Sequence, residues 1–166
     1  MSRALHRVFV VGVALVASTS AGAAGTRVFR GPGIVLRYPS AWFVTNAPLN
    51  GISDPVQRFV FSSYHVPGGG PDANGSYAPP RRGVIAQVVE EVPPLHNAGV
   101  WNARPRRFVL PPLGRMEGFG GNRWAELRFR QHGRRFYVFI GVGRYAPAAA
   151  LALLLDRLDT MGITVH

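Results

Sequence analysis

The chain has 166 residues, a formal charge of +11 and no cysteine. Those facts exclude disulfide frameworks, thiol nucleophiles, cysteine zinc sites and iron–sulfur ligation. They require a fold held by ordinary packing, and a surface that attracts acidic partners.

The first 23 residues carry the three parts of a cleavable secretory signal. Arg3 and Arg7 form a positive start, Val8 to Ala17 is an apolar run of about ten residues, and Ala21-Gly22-Ala23 supplies small residues before a cleavage point. Ser18, Thr19 and Ser20 end the run well short of the roughly 20 apolar residues that a spanning helix needs. The expected product is exported, and periplasmic, extracellular or envelope-associated according to the source. Residues 24–166 form one domain, long enough to bury most of the surface of its unfolded chain.

Strand signals dominate that domain. Arg27 to Phe29 and Ile34 to Tyr38 flank the turn residues Gly31-Pro32-Gly33, and Trp42 to Thr45 follows Pro39-Ser40. Gln57 to Tyr64 alternates, with Phe59 and Phe61 on one face and Val60 on the other. Val66 to Gly83, rich in Gly and Pro, reads as a mobile loop. Val84 to Val92 is the next strand, stopped by Pro93-Pro94; Arg106 to Leu110 and Gly114 to Gly118 are further strand candidates. Asn122 to Arg130 and Arg135 to Val142 form a hairpin around Gln131-His132-Gly133-Arg134. The return strand is apolar on both faces, which predicts a central position covered twice. A helix runs from Pro147 to about Met161, with Leu151, Leu154, Leu155 and Leu158 as its core stripe and Asp156 and Asp159 on its wet side. The predicted class is α+β: an antiparallel sheet of about six strands flanked by helices, with the C-terminal helix packed on the sheet.

The stretch Ile34-Val35-Leu36-Arg37-Tyr38-Pro39-Ser40-Ala41-Trp42 resembles the aromatic-Pro-x-x-Trp opening of PsbP-like domains, and the closing hairpin and Ala/Leu-rich helix fall where that family's do. The resemblance implies an antiparallel sheet sandwiched by helices and a role in binding or assembly. The signal and the basic charge depart from the photosystem branch, so no photosynthetic role is carried over.

Catalytic and cofactor patterns are not found. His65, His96, His132 and His166 lack metal-ligand spacing, and His132 suits a turn. Glu90 and Glu91 are neighbours on a strand, so they point to opposite faces and are expected to pair with arginine at a strand end. Ser40 lies in no nucleophile elbow, and the glycines around Phe119 match no phosphate-binding loop. No cofactor or metal is expected.

The arginines carry the remaining signal. All 19 non-histidine basic residues are arginine. Arg104, Arg106 and Arg107 lie near Trp101, while Arg128 and Arg130 share a strand phase with Trp124 and lead into Arg134 and Arg135. Guanidinium groups grip carboxylates and phosphates through paired donors. The expectation is a non-catalytic envelope module that docks an anionic envelope component or acidic protein through these residues, with peripheral membrane contact as a further option and no nucleic acid. The alternative is an extracellular small-ligand-binding protein or enzyme with a pocket, for instance beneath the Val66 to Gly83 loop.

Overall fold

The computed structural model describes residues 25–49, 55–66, 77–92 and 99–165. The signal segment and the centre of the Gly/Pro-rich loop lie outside them.

Among the described residues, two antiparallel sheets and one C-terminal helix make up the fold. The small sheet has the order β1 (Thr26–Gly31), β2 (Ile34–Pro39) and β8 (Gly162–Ile163). The large sheet has the order β3 (Phe43–Thr45), β4 (Val56–Ser62), β5 (Val84–Glu91), β7 (Arg134–Val142) and β6 (Trp124–Gln131). Helix α1 spans Ala148–Asp159, with Pro147 at its N-cap. The expected antiparallel α+β arrangement with a C-terminal helix on the sheet is present, but the described strands divide five and three between two sheets where one of about six flanked by helices is expected. The first hairpin does not join the large sheet; it pairs instead with the chain just past the helix, through Ile34 opposite Ile163.

Two strand candidates are also corrected. Arg106 to Leu110 and Gly114 to Gly118 form no strands; an isolated bridge joins Gly114 to Trp124, and the neighbouring Ala103 bridges to Arg130. Pro105, Pro111 and Pro112 flank the first segment and offer no N–H with which a ladder could extend past it, and the Phe108 N–H donates to Asp159 Oδ1 at 2.7 Å instead of to a strand. Asp159 is therefore half-buried and bonded, not on a wet face.

The main core lies on one face of the large sheet. Phe59 and Phe61 of β4, Val84, Ala86 and Val88 of β5, and Phe136, Val138 and Ile140 of β7 meet Ile34 and Leu36 of β2 and Leu154 and Leu158 of α1. Tyr38 and Trp42 both reach Phe61, at ring distances of 6.1 and 4.7 Å, across the turn in which the Trp42 N–H donates to the Pro39 carbonyl. The aromatic-Pro-x-x-Trp stretch is thus a turn that brings two rings onto one core phenylalanine.

Strand β7 is covered on both faces, as its sequence predicts: Tyr137 and Phe139 belong to a second apolar layer with Val60, Ile85, Val89, Trp101, Phe119 and Trp124. The β6–β7 turn has His132 at φ 52° and Gly133 at φ 76°, both left-handed, which matches the right-handed twist of the strands it joins.

Gly143 marks the tightest approach. Its N–H donates to the Gly83 carbonyl at 2.8 Å, and a Cβ there would overlap the backbone carbonyls of Pro80 and Arg81, which have no side-chain freedom to yield. Gly143→Ala is expected to cost about 1–3 kcal/mol by overpacking, whereas Gly114→Ala, which meets open space, is neutral. Urea unfolding midpoints of the two variants check this.

Candidate functional site

The nine residues singled out in the sequence separate into distinct environments. Arg134 is the most buried of the arginines among them, at 8% exposure. Its Nε and Nη2 donate to Glu90 Oε1 and Oε2 at 2.7 and 2.6 Å, its Nη1 to the carbonyls of Gly33 and Thr164, and its Nη2 also to Pro32. Glu90 accepts in addition from Arg58 Nε at 2.6 Å. Burial by itself raises the Glu90 carboxyl, but the bonds and charges of Arg134 and Arg58 outweigh it and hold its pKa below the ordinary 4.5.

Arg104 is equally committed. Its guanidinium donates to the carbonyls of Met161 (2.6 Å), Asp159 (3.0 Å) and Leu158 and to Gln131 Oε1, closing the C-terminal end of α1. Burial lowers its pKa and the Asp159 charge opposes that shift. Cations at a helix C-terminus are favoured by the dipole and by unpaired carbonyls.

Arg135 lies over the Trp101 ring at 5.5 Å and donates to Glu91 at 3.3 Å, so both glutamates pair with arginine as expected. Arg128 lies over Tyr137 at 5.2 Å and donates to Glu126, a bond that raises its pKa. Trp101 and Trp124 are core residues, 8% and 1% exposed. Trp124 does share the phase of Arg128 and Arg130, but that phase faces the second apolar layer, where its Nε1–H donates to the Gly120 carbonyl at 2.8 Å.

Arg106, Arg107 and Arg130 are exposed, with no side-chain hydrogen bond or ion pair among the described residues. The fold brings two of them together. The Arg104 and Arg130 N–H groups donate to the carbonyls of Arg130 and Asn102, so residues 102–104 run beside β6. Arg104, Arg106, Arg130 and His132 then line one shallow depression.

Sequence reasoning missed a second feature. A cavity of about 240 Å³ opens on the second face of the large sheet, over Gln57, Gln87, Val89 and Phe139, with Met116, Glu117, Phe119 and Glu126 around it. The available signal was Gln87, the polar side chain in the otherwise apolar run Val84 to Val89.

Among the described residues no group of three or more His, Asp or Glu is placed to hold a metal ion, and no helix is long and apolar enough to cross a membrane. Comparison with protein-family models, curated proteins and solved structures found no match.

Because the native Glu90 pKa is depressed, its stabilising contribution is present above the unfolded-state value of 4.5 and is lost as pH falls through the lower native value. Glu90→Gln is expected to destabilise the protein by about 3–5 kcal/mol near neutrality, because two guanidinium groups lose their counter-charge, and to flatten the acid limb of stability against pH. Thermal unfolding of both proteins between pH 3 and 7 measures both effects.

Proposed function

We propose that the protein is an exported, non-catalytic binding module of the cell envelope that docks an acidic partner over the exposed surface of Arg106, Arg107 and Arg130. The observation that carries this reading is the bridge between Ala103 and Arg130, which aligns two arginine groups distant in sequence on one depression. Their guanidinium groups are accessible and uncommitted among the described residues, as paired recognition of carboxylate or phosphate needs. Arg104, Arg134, Trp101 and Trp124 are removed from the docking set, since each is spent on the fold. Arg128 and Arg135 stand beside it with partners of their own.

The N-terminal signal pattern supports export, and the Tyr38–Trp42 turn supports placement among PsbP-like domains. Both belong to this reading as proposals.

The test is a pull-down from envelope extract at low and high salt, using the protein and a variant with Arg106, Arg107 and Arg130 changed to Gln. The expected outcome is one partner that survives high salt and is lost with the variant, while the variant's unfolding temperature stays at that of the parent. Many acidic species released together by salt would reduce the charge to generic attraction and overturn the docking assignment.

A further inference from the structure

The cavity on the second face is independent of the arginine surface and has its own polar logic. Gln57 and Gln87 lie side by side at its floor, on β4 and β5. The Gln57 carboxamide is oriented by the backbone: its Oε1 accepts from the Leu49 N–H at 2.9 Å and its Nε2 donates to the Ala47 carbonyl at 2.7 Å. Neither partner can exchange roles, so Gln57 cannot be flipped. Gln87 therefore turns its Nε2 to Gln57 Oε1, at 2.9 Å, and its own Oε1 is left over. That oxygen is buried without a hydrogen-bond partner among the described residues, on a side chain only 1% exposed.

A buried carbonyl of this kind carries its desolvation cost uncompensated unless a donor reaches it. The rest of the wall is apolar or aromatic: Val89, Met116, Phe119 and Phe139. The charged groups of the lining are carboxylates, Glu117 and Glu126, and no arginine contributes, in a chain with 19 basic residues and 8 acidic ones. Glu126 is already bonded to Arg128, whereas Glu117 is exposed. A volume of about 240 Å³ lies below the roughly 300–1,000 Å³ of drug-sized sites and restricts the occupant to one or two rings.

We infer that this cavity binds a compact aromatic amine: the ring lies against Phe119 and Phe139, an N–H of the ligand donates to Gln87 Oε1, and the ammonium charge faces Glu117. The electrostatics oppose those of the docking surface, so an anion is disfavoured here.

Titration calorimetry of the full chain with tryptamine and with indole-3-acetate, which share a ring and differ in charge, tests the assignment. Saturable binding of tryptamine is expected, with the acetate at least about tenfold weaker. Gln87→Met keeps the side-chain length and removes the acceptor; it is expected to weaken tryptamine about five- to tenfold while leaving the unfolding temperature unchanged or higher. Glu117→Gln, at an exposed position, should narrow the gap between the two probes. Absence of saturable tryptamine binding, equal affinity for the two probes, or affinity untouched by both substitutions would overturn the inference. None of these outcomes depends on the arginine surface.

Discussion

Glu90 and Arg134 hold the two sheets to one another. A guanidinium has five N–H donors, and Arg134 directs them at five acceptors: two oxygens of Glu90 on the large sheet, the Pro32 and Gly33 carbonyls in the turn of the small sheet, and the Thr164 carbonyl just beyond β8. The turn between β1 and β2 and the chain after the helix are both ends of the small sheet. One planar group thus fixes the position of that sheet against β5 and β7. Lysine, with three donors on a point charge, cannot satisfy the same set. Arg58 supplies a second positive charge to the same carboxylate, so the site carries a net positive charge and Glu90 stays ionised despite its burial.

Arg104 repeats this nearby, bonding Gln131, the register partner of Arg134 at the β6–β7 turn. Helix α1 ends against residues 102–108, and its last carbonyls are met by a side chain from that segment instead of by water. The same segment bridges to Arg130, so the helix end, the edge strand β6 and the loop carrying Arg106 and Arg107 are mutually positioned. The consequence reaches function. The arginines that build the scaffold hold in place the arginines that face solvent, and removing Arg104 would disturb the proposed docking surface without touching a partner. A binding defect at Arg104 is therefore to be read through stability first.

Much of the fold was legible because local pattern decides it. The alternation of Phe136 to Val142, the left-handed turn at His132-Gly133 and the leucine stripe of α1 each specify their own geometry within a dozen residues. The division into two sheets was not legible. Strand runs as short as β1, β2 and β3 do not encode their partners, and β8 is two residues long, below any periodic signal. The arginine roles escaped for a related reason. Arg134 lies 44 residues from Glu90 and 101 from Gly33, and Arg104 lies 54 from Leu158, so spacing carried no trace of these bonds. Phase alone also misplaced Trp124: sequence shows that it aligns with Arg128 and Arg130, but not that the chain around Phe119 folds over that end of the strand.

The uneven cover of the large sheet explains why one face is solid and the other hollow. The helix and the small sheet both pack on the first face and supply aliphatic side chains in regular rows. The second face receives loops, and loops cover it with single large rings: Phe119 over Trp124 and Phe139, at 4.3 and 5.1 Å, and Trp101 over Tyr137 at 4.8 Å. Rings set at separate points span a wide sheet without filling the space between them. The gap falls over the Gln57–Gln87 pair, where an apolar floor would carry no cost of buried polarity. Gln57 repays its own burial by holding the Ala47 to Leu49 segment against the sheet. Gln87 repays only half of its burial, through one bond to Gln57, and its Oε1 has no partner among the described residues.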